Sequence, residues 1–283
     1  MTTPARPRDG KERFVLRRCA DNVGGAFRVL LRPARVSHSI WEYTLRQFVV
    51  ATVLGLTIIV LTMVFIDAAA IRAMPRLPDG LHGFFEWFTD FGKSGWFLWP
   101  LGILFLLLAA APRGRLTAIG QAVLAAMMVR VGFLFLAIAL PGLFVAVIKR
   151  VIGRARPMVL DTPDPFAFYP LGKWAASYAS LPSGHTTTVF SVLVAFGTVW
   201  PQARPLLWVY ALLMAVSRVA VTAHYPSDVI AGAVVGALGA LMVRRYFALR
   251  HLGFSVTRDG AFHRYPGPSP RRIKAVARRL VAQ

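Results

Sequence analysis

The sequence has little cysteine and little negative charge. Cys19 is its single cysteine, which excludes an intramolecular disulfide framework and any metal site built from several cysteines. Only 12 residues are Asp or Glu against 33 Lys and Arg, so the formal net charge is +21, yet 56% of the chain is hydrophobic. The two properties are compatible only when apolar and basic residues occupy different segments. Since the apolar runs are long enough to span a bilayer, the basic excess indicates anionic lipid headgroups as partners rather than nucleic acid.

Long apolar runs predict an all-α, polytopic membrane protein. A spanning helix needs about 20 mostly apolar residues. We predict six spans, at 48–71, 95–111, 131–148, 184–200, 206–222 and 228–243. The aromatic-rich segment 75–93, which follows the first span, has the mixed polarity of a helix that lies in the membrane interface.

The third apolar run, 116–148, is too long for one simple span. Pro141 predicts a kink, and Arg130 is expected near a headgroup layer, so we take 131–148 as the crossing part. The domain organisation predicted is a basic N-terminal segment at 1–46, a six-helix membrane domain at 47–247 and a basic C-terminal tail at 248–283.

The distribution of Lys and Arg predicts the orientation. Six spans place both termini on one side of the membrane, and the short segments on that side carry the larger number of basic residues. The positive-inside rule therefore predicts cytoplasmic termini. The connections 149–183 and 224–228 then face outward, which in a bacterium is the periplasmic side of the inner membrane.

Three polar segments abut predicted spans on this outer face. They are Lys149–Pro157, Pro182–His185 and Ser217–Asp228. Ionisable residues at membrane depth usually mark a functional site. Lys149, Arg156 and Arg218 would form a cationic phosphate-binding pocket, in which the arginines offer forked donors. As a stop-transfer flank, Lys149 and Arg156 would instead lie on the cytoplasmic side.

The remaining polar residues of these segments suit phosphoryl transfer. The backbone N–H groups of Ser183 and Gly184 precede an apolar helix and can point at an anion. Asp228 follows His224 by four residues and can accept a hydrogen bond from one ring nitrogen, which leaves the other to attack phosphorus. His185 can protonate the departing alkoxide and then activate water. This chemistry needs no metal and no cofactor, because the basic residues stabilise the charge.

The three segments resemble the motifs of the type 2 phosphatidic acid phosphatase (PAP2) superfamily, in particular its membrane lipid phosphatases. Lys-(six residues)-Arg-Pro is matched at Lys149, Arg156 and Pro157, and Pro-Ser-Gly-His at 182–185. Ser-Arg-(five residues)-His-(three residues)-Asp is matched by four further residues: Ser217, Arg218, His224 and Asp228. The resemblance implies a helical core like that of the haloperoxidases, with His224 as nucleophile and His185 as general acid.

Some residues of the same region match no position of the family. Arg150 and Arg154 are two of these, and we predict that both contact headgroups. The loop 158–181 shows no readable motif, but it is the expected determinant of substrate choice. Its candidate residues are Asp161, Asp164, Tyr169, Lys173 and Trp174.

The leading hypothesis is a metal-independent lipid phosphatase that forms a phosphohistidine. Undecaprenyl pyrophosphate, phosphatidic acid, phosphatidylglycerol phosphate and the lipid A 1-phosphate are possible substrates. The alternatives are a lipid phosphotransferase and, in another class, a transporter that binds lipid phosphates without chemistry. The basic tails are expected to contact anionic headgroups, and the sequence leaves the oligomeric state open.

Overall fold

The computed structural model describes residues 9–35, 45–172, 174–257 and 260–282. The described chain is mainly helical, and short 3₁₀ turns join several of the helices. The α-helices are α1 Asp9–Leu31, α2 Leu45–Phe65, α3 Asp67–Ala73, α4 Asp79–Thr89, α5 Gly95–Ala110, α6 Ala118–Ile152, α7 Gly184–Val199, α8 Arg204–Ala220, α9 Pro226–Leu249 and α10 Pro270–Val281. The strands are β1 Phe254–Val256 and β2 Phe262–Arg264.

Several of these helices are long and apolar enough to cross a membrane. Within the described ranges there are four such stretches: Asp79–Ala110, Ala118–Ile152, Pro201–Ala220 and Pro226–Leu249. The bent pair formed by α2 and α3 makes a fifth when it is counted as one span, and α7 is a shorter apolar helix. The chain is therefore a multi-pass membrane protein. The count of six spans, the interfacial position of α4 and the three domain limits stay predictions.

The first predicted span, 48–71, is not one straight helix. α2 ends at Phe65, α3 begins at Asp67, and the two axes differ by 50°. The carboxylate of Asp67 accepts hydrogen bonds from Ser227 and Arg154 in the interior of the protein. Sequence hydropathy does not register this break, because the residues on both sides of Asp67 are apolar.

The third predicted span is part of a much longer helix. α6 has 35 residues, which at 1.5 Å per residue gives a length of about 52 Å. The helix continues through Pro141, whose ring packs against α9 at Gly239. A Cβ atom at position 239 would lie 2.6 Å from Cγ of Pro141, so the absence of a side chain permits this close approach.

The chain divides into two compact units, and the first comprises 1–38, 99–133 and 246–283. Its aromatic core centres on Phe133, whose ring lies 4.8 Å from that of Phe254. Arg130 donates hydrogen bonds to the carbonyls of Tyr265 and Pro266 at 3.1 and 3.0 Å. These bonds hold the segment after the antiparallel β1–β2 hairpin. The predicted basic tail therefore contains a small two-stranded sheet, which the sequence did not indicate.

The second unit, 39–98 and 134–245, contains all three polar motifs. Its buried cluster lies between α7 and α8, with Phe88 of α4 packed against it. α9 approaches the backbone of α7 closely, since a Cβ atom at Gly232 would lie 2.5 Å from the Ser183 carbonyl oxygen. The backbone N–H of Ser183 donates to the Asp228 carbonyl at 3.0 Å. Glycine at this crossing thus brings the beginnings of α7 and α9 together.

Candidate active site

The structure brings the three motif segments to one place. The Ser183 backbone bond to Asp228 joins the second motif to the third. Arg154, from the first segment, donates to the side chains of Ser227 and Asp228 at 2.7 and 2.5 Å. The predicted convergence of the three motifs is therefore present in the second unit.

His224 lies in the loop between α8 and α9, and its side chain is only 2% exposed. Its Nδ1 is 3.3 Å from Ser180 Oγ and 3.5 Å from Asp228 Oδ2. Asp228 Oδ2 also accepts bonds from Ser180 Oγ at 2.5 Å and from the Tyr225 backbone N–H at 3.0 Å. Nε2 has no hydrogen-bond partner in the described part of the chain. With acceptors on the Nδ1 side, the proton belongs on Nδ1, and the Nε2 lone pair is free.

The surroundings of His224 keep its ring neutral. Burial lowers its pKa to about 4; Asp228 opposes this shift, and the charges of Arg218 and Arg156 reinforce it. A buried imidazole loses solvation when it is charged, so the neutral form is favoured at neutral pH. The neutral ring is the form that has a lone pair to give to an electrophile.

His185 occupies the first turn of α7 and is half-buried. No residue of the described ranges forms a hydrogen bond with its ring. The ring interacts electrostatically with His224, Arg218, Arg156 and Lys93. A Cβ atom at Gly92 would lie 2.9 Å from Cδ2 of His185, so this glycine leaves room for the ring. The rings of His185 and His224 are therefore close enough to interact electrostatically.

Three cations of the site lack an acidic partner. In the described ranges, no carboxylate lies within 4 Å of Lys149, Arg156 or Arg218. Arg156 Nε donates to the Ala176 carbonyl at 3.0 Å, and burial lowers the pKa of its guanidinium. Arg218 is 6% exposed, and its Nε is buried without a hydrogen-bond partner among the described residues. Unneutralised donors of this kind suit a phosphate group.

Thr89, at the end of α4, holds Arg218 from outside the three motifs. Nη1 of Arg218 donates to Thr89 Oγ1, and Ser217 Oγ lies 3.4 Å from the same hydroxyl. The Ser217 hydroxyl donates to the Met214 carbonyl at 2.7 Å, and this bond lies within α8. No local pattern in the sequence indicates Thr89, because it precedes Arg218 by more than a hundred residues.

One expected phosphate donor is already used. The prediction that the Ser183 N–H faces an anion is wrong, since this group donates to the Asp228 carbonyl. The Ser183 hydroxyl accepts from Thr186 at 3.1 Å. The backbone N–H of Gly184 has no partner among the described residues and lies at the N-terminus of α7, where an anion is favoured.

The prediction for Arg154 is also wrong. Its side chain is fully buried and bonded to carboxylates, and therefore does not contact headgroups. Asp67, which supplies one of those carboxylates, was not recognised as a site residue. Arg150 is half-buried and donates to the Ala146 carbonyl at 2.5 Å, and its contact with headgroups stays a prediction. Within the described ranges, no group of three or more His, Cys, Asp or Glu residues is placed to hold a metal ion.

The loop 158–181 has an ordered base. Gly153 has a φ of +66° and packs against the Tyr169 carbonyl. The backbone N–H of Tyr169 donates a hydrogen bond to the Gly153 carbonyl at 2.9 Å. The Asp164 carboxylate accepts a bond from the Phe166 N–H at 2.8 Å. The ring of Trp174 is 66% exposed and free to contact a lipid. Asp161 is exposed, and Lys173 lies outside the described residues.

Comparison with known proteins agrees with the motifs. The family model of the PAP2 superfamily matches residues 130–251. A lipid A 1-phosphatase of Rhizobium johnstonii is 34% identical over 205 residues, which are 72% of this chain and 83% of that protein. A lipid A 1-phosphatase of Rhizobium etli is 34% identical over 202 residues, 71% and 86% of the two chains.

Two solved structures are also similar. The crystal structure of Aquifex aeolicus LpxE matches with a TM-score of 0.44 and 23% identity, over 62% of this chain and 93% of that one. A phosphatidylglycerolphosphate phosphatase of Bacillus subtilis matches with a TM-score of 0.47 and 21% identity, over 72% and 94%. The sequence relatives establish that the chain belongs to the PAP2 superfamily. It is a membrane lipid phosphatase of the PAP2 type, and its substrate is a lipid phosphate.

Proposed function

We propose that this protein removes the 1-phosphate of lipid A through a phosphohistidine formed on His224. The observation that carries the proposal is the state of that imidazole. Its Nδ1 faces Ser180 and Asp228, while its Nε2 is unpaired in the described part of the chain, and the charges of Arg218 and Arg156 act on the ring. An unpaired ring nitrogen beside a phosphate-binding pocket is the geometry of a nucleophile.

The first chemical step breaks the lipid ester. Lys149, Arg156 and Arg218 hold the phosphate oxygens and stabilise their charge. The Nε2 lone pair of His224 attacks phosphorus, and the bond between phosphorus and the lipid oxygen breaks. His185 gives its proton to that oxygen as it leaves. The products of this step are a lipid alcohol and a phosphorylated His224.

The second step restores the enzyme. His185, now neutral, takes a proton from a water molecule as the water oxygen attacks phosphorus. The bond between Nε2 and phosphorus breaks, and its electron pair returns to the His224 ring. Inorganic phosphate leaves, and His185 again carries the proton needed for the next cycle. The cations are common to both steps, because the same phosphoryl group occupies their pocket throughout.

The substrate proposal rests on the relatives and on the exposed surface. Both curated relatives are lipid A 1-phosphatases that this chain matches over more than four fifths of their length. Trp87 and Trp96 lie on and after α4 with exposed fractions of 62% and 60%, and α4 supplies Thr89 to the site. Exposed indole rings at a membrane boundary suit contact with acyl chains.

A panel of lipid phosphates assayed with the purified protein in detergent tests the proposal. Lipid A, phosphatidylglycerol phosphate, phosphatidic acid and undecaprenyl pyrophosphate are compared by release of free phosphate. We expect the highest kcat/KM for lipid A and loss of turnover in His224→Ala. The exposed histidine of β2 provides the control variant, His263→Ala. A higher kcat/KM for another lipid would overturn the proposal that lipid A is the substrate. Activity of His224→Ala would overturn the proposal that His224 is the nucleophile.

The same assay separates the alternatives. A phosphotransferase would release little free phosphate until a lipid or sugar acceptor is added. A transporter would bind the lipid equally well in wild type and His224→Ala without releasing phosphate from either. Hydrolysis by the purified protein alone, without an acceptor, is the expected result.

For the cellular location we propose the inner membrane, with cytoplasmic termini and a periplasmic site. The excess of Lys and Arg in the terminal segments supports this orientation. Reporter fusions test it: a C-terminal alkaline phosphatase fusion should be inactive, and a C-terminal fluorescent protein should be bright. The reverse pattern would overturn the orientation without affecting the chemistry.

The last helix supports the proposed contact with anionic headgroups. Val276 of α10 is buried, while five basic side chains of the helix are exposed: Arg271, Arg272, Lys274, Arg278 and Arg279. A row of exposed cations attracts acidic lipids. Replacing the five by Gln in the full chain should reduce the phosphatidylglycerol that copurifies with the protein, measured by mass spectrometry. Unchanged retention would contradict this contact.

A further inference from the structure

Arg154 joins two carboxylates that come from distant parts of the sequence. Its Nη2 donates to Asp67 Oδ2 at 2.7 Å and its Nη1 to Asp228 Oδ1 at 2.5 Å, and all three side chains are fully buried. The guanidinium carbon lies 4.4 Å from the centroid of the Tyr225 ring, and Nε donates to the Pro165 carbonyl at 3.0 Å. Arg154 is therefore fixed in orientation, with both carboxylates on its two terminal nitrogens.

Asp67 also binds the turn that carries the catalytic pair. Its Oδ1 accepts from the Ser227 backbone N–H at 2.9 Å, and its Oδ2 from the Ser227 hydroxyl at 2.5 Å. Ser227 stands between His224 and Asp228 in the sequence. The first residue of α3 is thus attached to the active-site turn by two direct bonds and by the guanidinium of Arg154. A buried network in which each member is bonded holds its parts in one geometry.

The net charge of this network favours one state of the His224 ring over the other. Two carboxylates share one guanidinium, so one negative charge remains in the interior next to His224. A neutral imidazole does not need that charge. After Nε2 bonds to phosphorus while Nδ1 keeps its proton, however, the ring becomes a cation. The surplus negative charge is therefore matched to the phosphorylated ring rather than to the resting one, which favours the transferred state.

We propose that Arg154 and Asp67 are positioning residues for phosphoryl transfer. They hold Asp228 against His224, and together with Asp228 they set the buried charge that stabilises the cationic phosphoimidazole. This inference rests on the proposed function, because it assumes that His224 carries the phosphoryl group. Neither residue touches the substrate, so the effect is expected in kcat rather than in KM.

Three variants separate charge from packing. The network of Asp67, Arg154 and Asp228 has a net charge of −1 in the wild type. This net charge becomes zero in Asp67→Asn and −2 in Arg154→Met, and it returns to −1 in the double variant. The matched controls are Asp79→Asn and Arg72→Met, whose side chains are exposed on α4 and α3. The full-length protein in detergent is assayed with dioctanoyl phosphatidic acid, and kcat, KM and the unfolding temperature are measured for each variant.

We expect kcat of Asp67→Asn to fall by about tenfold or more, while KM stays within about threefold of wild type. The double variant should be more active than Arg154→Met, although it carries one more substitution, because coupled residues do not contribute additively. The two controls should retain wild-type kcat. A network that serves the fold alone would change the unfolding temperature and leave kcat of the folded protein unchanged.

Wild-type kcat in folded Asp67→Asn and in the folded double variant would overturn the inference, as would a loss confined to KM. Arg154→Met can fail to fold because it leaves two buried carboxylates unpaired; Asp67→Asn and the double variant then decide. Failure of the proposed function has a different signature, since His224→Ala would stay active whatever the three variants do.

Discussion

Ser180 Oγ lies 3.3 Å from Nδ1 of His224 and also donates a hydrogen bond to Oδ2 of Asp228 at 2.5 Å. The hydroxyl can accept from the ring and give to the carboxylate at the same time, so it bridges the two. Asp228 is 3.5 Å from the ring, which makes this bridge the shorter connection. Ser180 precedes the second motif by two residues and was not singled out in the sequence.

Substitution of this bridge should slow the chemical step. In Ser180→Ala, we expect kcat to fall by about tenfold to a hundredfold with little change in KM, because the ring loses its closest acceptor. Steady-state kinetics on lipid A measures the effect. Ser191→Ala is the control, since Ser191 is equally buried but bonds to Gly236. Equal activity of the two variants would show that Asp228 orients the ring alone.

The protonation of His224 should occur at unusually low pH. Because burial lowers its pKa to about 4, the ring should take up no proton between pH 7 and 5 and should become charged near pH 4. The unfolded chain does take up a proton at this residue near pH 6.5, so the contribution of His224 to stability decreases as the pH falls from about 6.5 to 4.

Nitrogen-15 spectra of histidine-labelled protein, assigned with His224→Ala, measure this titration. The substrate-free protein is the appropriate state, because a bound phosphate dianion would raise the pKa. A midpoint near the ordinary value of 6.5 would contradict the burial of the ring.

Removal of the Thr89 hydroxyl should weaken the hold on phosphate. The Thr89→Val variant keeps the shape of the side chain but loses the acceptor for Arg218. We expect KM, and the inhibition constant of inorganic phosphate, to rise about three- to tenfold, with a smaller change in kcat. The matched control is Thr198→Val, because the one bond of the Thr198 hydroxyl among the described residues goes to the Val194 carbonyl of its own helix. A pure kcat effect would assign Thr89 to the chemical step instead.

The crossing of α7 and α9 should not tolerate a side chain at position 232. In Gly232→Ala the new Cβ would meet the Ser183 carbonyl at 2.5 Å, and overpacking of this kind costs about 1–3 kcal/mol. The unfolding temperature should fall, and activity with it, since the backbone of Ser183 joins the segment of His185 to the segment of His224 and Asp228. Gly142→Ala is expected to unfold at or above the wild-type temperature, because no described residue outside its own stretch of helix lies within 4 Å of the added Cβ. Equal stability of the two variants would contradict the packing at this crossing.

The convergence of the three motif segments could be predicted, because helix lengths and charge bias are local properties of the sequence. The common membrane face of Lys149, His185 and His224 stays a prediction, as do the roles of these residues. Arg154 was assigned to headgroups for the opposite reason: its two partners are 87 and 74 residues away, and nothing in its neighbours indicates burial. Asp67 is the one charged residue of the predicted first span, and its neighbours in the sequence do not indicate its partners.

Two features of the fold had no local signal either. At the bend between α2 and α3, Asp67 bonds to Ser227 in the first turn of α9, a contact that hydropathy does not indicate, so hydropathy predicted one span there. The β1–β2 hairpin is only three residues long on each side, too short for alternation to identify it. Ser183 was expected to bind an anion because a helix N-terminus ordinarily leaves its N–H groups free, but a neighbouring carbonyl already accepts this one.

The three uncompensated cations also govern how a catalytic cycle ends. Lys149, Arg156 and Arg218 are as attractive to the released inorganic phosphate as to the lipid headgroup, and in the described ranges no acid stands ready to replace it. Departure of the small anion is therefore the step that the pocket opposes most. We expect dissociation of this product to limit turnover, so that each lipid molecule is dephosphorylated faster than the enzyme becomes vacant for the next one.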